Sequence, residues 1–165
     1  MEVKQSTLEY LDDIMEIYSH ARKEMIKNGN PHQWKNYHPP VEEVIKEINE
    51  GKHFVIFENN VIVGVFSLIF GEDPTYKYIE NGSWLNDEPY ATIHKIASSN
   101  IVKGIFKFAI DYAFSRIDNV RIDTHIDNKI MFHLLKEYGF TYCGTIYLKN
   151  EEPREAFHKK IISVK

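Results

Sequence analysis

The sequence predicts an α+β fold of three layers, with helices on both faces of one mixed, mostly antiparallel sheet. Three observations predict it. Between His53 and Phe70, two runs rich in Val, Ile and Phe are separated by Asn59-Asn60, which reads as an antiparallel hairpin. From Tyr90 to Tyr147, strand-like and helix-like patterns alternate with a boundary signal at every change, and this order closes a right-handed parallel βαβ unit. After Glu151-Glu152-Pro153, the stretch from Arg154 to Ile162 reads as a return strand pairing with Phe140 to Tyr147. A chain of 165 residues is long enough for one well-cored domain and short for two, so a single domain over 1–165 is expected.

Taken in order, Glu2 to Gln5 reads as a short edge strand, with Ser6 or Thr7 as the cap of the first long helix. Leu8, Leu11, Ile14, Met15, Tyr18, Ala21, Met25 and Ile26 keep to one face of that helix until Asn28-Gly29-Asn30-Pro31 stops it. A loop containing Trp34, Tyr37 and two histidines follows. Pro39 and Pro40 then open a second helix with the stripe Val41, Val44, Ile45, Ile48 and a stop at Gly51. The hairpin strands are His53 to Glu58 and Val61 to Phe70, with Gly64 marking a bulge. Gly71 to Pro89 is rich in turn formers, yet Tyr76, Tyr78, Ile79, Trp84 and Leu85 make it too aromatic for a linker, and some of it is expected in strand.

Ala91 to Ala97 is a strand bounded by Ser98-Ser99-Asn100. A helix begins near Gly104, its stripe Ile105, Phe108, Ala109, Tyr112 and Ala113 turned to the sheet, and Asp118-Asn119 ends it. Val120 to His125 is the next strand. Asp127 or Asn128 caps a further helix whose Ile130, Met131, Leu134, Leu135 and Tyr138 face inward until Gly139 supplies a left-handed terminus.

Composition excludes several classes of function. Hydrophobic residues at 43% and charged residues at 27% are ordinary for a globular protein. A net charge of −4 with no basic run argues against a nucleic-acid partner. The single cysteine, Cys143, can form neither an internal disulfide nor a metal site, which fits a reducing compartment. Acidic residues interrupt the amino terminus where a signal peptide needs an apolar core, and no window is long enough to span a membrane, so a cytoplasmic protein is expected.

The turn from the first strand of the parallel pair into its helix presents amides without internal partners, an anion site in principle. Neither GxGxxG nor GxxxxGK[ST] is present, which argues against a dinucleotide fold or a P-loop NTPase. Gly104 on its own equally eases the chain into a helix.

Together, YATIHKIASS, IVKGIFKF and RIDTHIDNKIMFHLLKEYGF, with Asn128 about a dozen residues before Gly139-Phe140, resemble the fourth strand, pyrophosphate loop and fifth strand with its helix of the GNAT superfamily of N-acetyltransferases. The resemblance spans essentially the whole chain. It implies a fourth and fifth strand that splay apart to admit acetyl-CoA, whose pantetheine arm pairs with the fourth strand. On this chain the cofactor residues would be Ile96, Ala97 and Ser98 of the strand, Lys103, Gly104, Ile105, Phe106 and Lys107 of the loop and helix, and Asn128. His94 would be the general base, because an imidazole with a pKa of about 6.5 accepts a proton at neutral pH. A histidine that merely completes a strand is the competing reading.

Three residues depart from the family pattern. Ile101 stands where Gln or Arg is usual, and Phe106 stands where a small residue lets the pyrophosphate approach. Leu135 replaces the tyrosine proposed to protonate the departing thiolate, leaving Tyr138, one turn on, as a substitute acid or a packing residue. His125 and Asp123 are weaker catalytic candidates, and Trp34, Trp84, Tyr90 and His125 are expected to wall the acceptor site. The acceptor would be a small-molecule amine or a peptide amino terminus, and the protein a monomer or homodimer. A non-catalytic acyl-CoA-binding or protein-interaction module is the alternative.

Overall fold

A computed structural model describes residues 1–162. Its strands are β1 (Glu2–Gln5), β2 (His53–Glu58), β3 (Val61–Phe70), β4 (Ala91–Ser98), β5 (Asn119–Thr124), β6 (Thr141–Tyr147) and β7 (Pro153–Lys160). Its helices are α1 (Leu11–Lys27), α2 (Val41–Asn49), α3 (Ile105–Phe114) and α4 (Lys129–Glu137). The strands form one seven-stranded sheet in the order β1-β2-β3-β4-β5-β7-β6. All neighbours are antiparallel except β4 and β5.

Alternation along the central strands divides the core. Phe54, Ile56 and Phe66 point toward α3 and α4, packing with Ile105, Phe106, Ala109 and Leu135. Val55 and Val65 point the other way, onto Ile14 and Tyr18 of α1 and Val44 and Ile48 of α2. The three layers read from the sequence are therefore present.

Several local signals act as anticipated. Asn59 and Asn60 take left-handed φ values of 50° and 64° in the β2–β3 turn. Gly64 sits beside a register shift, and its glycine is required by close packing, since a Cβ there would lie 2.7 Å from Ile105 Cγ2. Asn128 caps α4 by accepting from the Met131 amide, and Gly139 takes φ 82° after the helix.

Four features differ from the sequence reading. Ser6 does not cap α1; its hydroxyl bonds the buried His53 Nδ1 at 2.6 Å, and a 3-10 turn over Leu8–Tyr10 leads into the helix. Leu8 and Ile26, read as part of the buried stripe, are exposed because they lie at the ends of the helical run. Gly71 to Pro89 contains no strand; a 3-10 turn at Pro74–Tyr76 and one bridge between Glu80 and Thr145 seat it against β6 and β7. Last, β7 inserts between β5 and β6, so the return strand pairs on both sides.

Candidate active site

The parallel pair is the structural break. It is held at only two positions, Ala91 opposite Val120 and Thr92 opposite Arg121, after which β4 and β5 diverge. From Ile93 to Ser98 the β5-facing edge of β4 has no strand partner among the described residues. Such an edge offers amides and carbonyls to an extended ligand as a further strand would.

A bulge shapes this edge. Val65 pairs with Ala97 but Ser67 pairs with His94, so Lys95 and Ile96 together face Phe66. Lys95 absorbs the extra residue by adopting φ 55°, a left-handed conformation unusual for a side chain of this size. Its ammonium is buried between Glu43 Oε1 and Glu47 Oε2, each at 2.9 Å, and Ser67 Oγ donates to the other Glu47 oxygen at 2.6 Å. Burial opposes the charge on Lys95, but Glu47 and Glu43 outweigh it and raise its pKa.

Two openings meet at the split. On one side is a cleft of about 700 Å³, bounded by the α1–α2 loop, α2, the diverging ends of β4 and β5, and the β6–β7 turn. On the other side a groove of about 490 Å³ runs between α1, the end of β4 and the first turn of α4. Met25, Ile96, Asn128 and Met131 line both. Beyond β4 the chain turns through Gly104, at φ 88°, into α3.

His94 lies on the cleft floor, with Nε2 3.4 Å from Asp73 Oδ2. Burial raises the Asp73 carboxyl, but hydrogen bonds from His94 and from the amide and hydroxyl of Thr75 outweigh it and hold the pKa at about 2. Asp123 also lines the cleft and accepts from the buried Tyr76 hydroxyl at 2.6 Å.

Of the residues singled out in the sequence, His94, Ile96, Trp34 and Asn128 line the cleft, and Ala97 and Ser98 line the adjoining groove. Lys103 and Lys107 are exposed on the loop and the first turn of α3, Lys107 pairing with Asp111. Ile105 and Phe106 turn their side chains into the core, the Phe106 ring packing 5.6 Å from Tyr138. Phe106 therefore does not project over the loop, where the sequence reading expected it to crowd an approaching pyrophosphate. Tyr138 lies outside the cleft for the same reason.

Trp84 and Tyr90 do not wall the cleft. They clasp the Arg121 guanidinium at 4.3 and 4.0 Å, because the segment before β4 folds over the β5–β7–β6 side of the sheet rather than over the split. His125, just past β5, accepts from the Asp127 amide at 3.0 Å and faces His32 outside the main cleft.

Sequence reasoning missed Asp73, Glu43, Glu47 and Arg154. Asp73 carried a usable signal, since Asp-Pro-Thr is a capping turn that fixes the carboxylate; the others are charges on otherwise regular elements.

The site is thus a sheet split at its parallel pair, with an open bulged edge and a histidine–aspartate pair beside it. The solved structures similar to this chain include a GNAT-family acetyltransferase from Streptococcus agalactiae 2603, with 28% identity over 98% of this chain and 96% of that one, at a TM-score of 0.89. A GNAT-family acetyltransferase from Listeria monocytogenes 4b F2365 (18% identity, 97% and 94% covered, TM-score 0.70) shares the fold. So does the ribosomal-protein-alanine N-acetyltransferase of Brucella melitensis (16%, 98% and 100%, 0.64). No protein-family model and no curated protein matches the sequence. The chain is similar over nearly its whole length to GNAT-family acetyltransferases, and this similarity supports an N-acetyltransferase function in general terms.

Proposed function

We propose that this protein transfers an acetyl group from acetyl-CoA to a primary amine, of a small molecule or a peptide amino terminus, by direct attack. The observation that carries the reading is His94, set on the open edge of β4 and backed by Asp73. The chain's own groups suit the cofactor: the unpartnered β4 edge matches an extended amide-bearing arm, and after the turn through Gly104 the first amides of α3 have no side-chain cap. When bound, acetyl-CoA supplies an activated acetyl thioester.

An alkylammonium with a pKa near 10 must lose a proton before it can attack. With Nε2–H directed at Asp73, Nδ1 of His94 is the nitrogen that accepts this proton, and Asp73 stabilises the imidazolium formed. Amides at the β4 bulge supply hydrogen bonds to the oxygen on which charge develops. Because a thiol pKa lies near 8.5, a side-chain acid is dispensable at neutral pH, consistent with Leu135 being fully buried and Tyr138 packed on Phe106. The test is CoA release across amines and amino-terminal peptides, comparing the protein with His94→Ala and Asp73→Asn. Turnover that both variants reduce supports the mechanism; unchanged turnover in His94→Ala removes His94 from it.

The replacement of the tyrosine acid by Leu135 favours a second reading, a non-catalytic acyl-CoA-binding module. A saturable thermal shift with acetyl-CoA alongside silence across the amine panel would establish that reading instead.

A further inference from the structure

The pairing registers align a row of charged side chains across one face of the sheet. Ser67 of β3, holding Glu47, pairs with His94 of β4. β4 and β5 part after Thr92 opposite Arg121, which leaves His94 and Asp123, each two residues further on, on the two lips of the split, where both line the cleft. Asp123 pairs with Ala156 of β7, and Arg154, two residues along, shares that face on the diagonal from Asp123, a separation of about 7 Å. The cleft floor therefore runs from an acidic end at Glu43 and Glu47, through His94 and Asp123, to a basic end at Arg154.

Arg154 is the unusual member. It is only 6% exposed, yet no carboxylate grips it in a fork. One terminal nitrogen donates to the Pro153 carbonyl at 2.9 Å, and the other reaches the Gln33 carbonyl at 3.4 Å and Glu152 at 3.8 Å. Glu152 itself is engaged by Lys35. Of five N–H donors, then, two are spent on neutral carbonyls, while desolvation works against the charge. A buried guanidinium aimed into a polar cleft and lacking a bidentate anion is a receptor for one. Lys149, exposed on the β6–β7 turn and lining the same end, adds positive field.

We infer that the acceptor is a free amino acid, its ammonium received between Asp123 and His94 and its carboxylate by Arg154. The inference rests on the amine acetylation proposed above and adds to it the chemical class of the acceptor. Amine and carboxylate in an α-amino acid are separated by one carbon, which suits the adjacency of Asp123 and Arg154. An internal peptide residue or a simple polyamine has no anion to place there.

The experiment measures CoA release with the free amino acids, their α-carboxamides and the corresponding decarboxylated amines. The best amino acid is expected to exceed its carboxamide and amine roughly 10- to 100-fold in kcat/KM, the range of a charge-assisted pair. Arg154→Gln should erase that preference by raising KM for the amino acid alone, and Arg154→Lys should restore part of it. Equal or better use of the carboxamide or the amine overturns the inference while leaving amine acetylation intact. This substrate comparison needs only the unmodified protein, so it decides the matter even if Arg154→Gln does not fold. Silence with every acceptor, in a protein that acetyl-CoA stabilises, overturns both readings.

Discussion

On the α3–α4 side of the β4–β5 split, the molecule presents mostly backbone: a free strand edge, a left-handed glycine and the first amides of a helix. On the cleft side it presents side chains, drawn from β4, β5, β7, α2, the α1–α2 loop and the β6–β7 turn. Backbone sites tolerate side-chain replacement, provided the new side chain has somewhere else to go. Phe106 shows this, since its ring is absorbed by the core against Tyr138 while its amide stays in the first turn of α3. The cleft has less latitude, because its charged positions, such as His94, Asp123 and Glu47, each have specific partners.

The comparison can be broken most sharply at His94. His94→Ala is expected to lower kcat about 10²- to 10⁴-fold, the usual contribution of a general base, with little change in the thermal shift produced by acetyl-CoA. Loss of the acetyl-CoA shift in this variant would mean that the two sides of the split are not separable.

Phe106→Ala tests the opposite side. Removing a buried aromatic should cost about 3 kcal/mol of stability or more, while acetyl-CoA affinity changes less than about threefold. A variant of normal stability with a large loss of affinity would show that the ring serves the ligand after all.

The third test separates the cleft histidine from two that only support the fold. His53 and His158 are fully buried, and burial, reinforced by Lys95 and by Arg121 respectively, lowers each to about 4. Between about pH 6.5 and 4 the unfolded chain takes up these protons and the folded chain does not. Stability should therefore be full above about pH 6.5 and fall as pH drops through this window, by an amount on the order of 3 kcal/mol per histidine. Melting curves at pH 7.5, 5.5 and 4.5 read the effect, and a flat profile would contradict it.

The smallest expected effect is at Gly104. A Cβ there would meet nothing nearer than the Met1 methyl at 3.8 Å, so Gly104→Ala adds only the strain of a left-handed alanine, about 1 kcal/mol. Acetyl-CoA affinity should fall by up to about tenfold at unchanged kcat. An unchanged affinity would show that the turn is not part of the binding surface.

Some of this was legible because it is local. Asn59-Asn60, Gly139 and Asn128 each act through their own dihedrals or a neighbour three residues away, so their roles follow from adjacent sequence. The strands around the split were readable for the same reason, and with them His94 and the edge of β4. Trp84 and Tyr90 show where this runs out. Their aromatic character correctly indicated packing, but whether they wall the cleft or clasp Arg121 depends on which end of the sheet the segment before β4 covers.

The sequence by itself determined the order of elements, the parallel pair and the histidine beside it, since periodicity and caps are set by residues within a turn or two of one another. Only the tertiary structure decided that β7 enters between β5 and β6, that Asp73 stands behind His94, and that Glu47, Asp123 and Arg154 share one face. Those placements depend on strand register between residues tens of positions apart, and register is fixed by burying the whole apolar face at once.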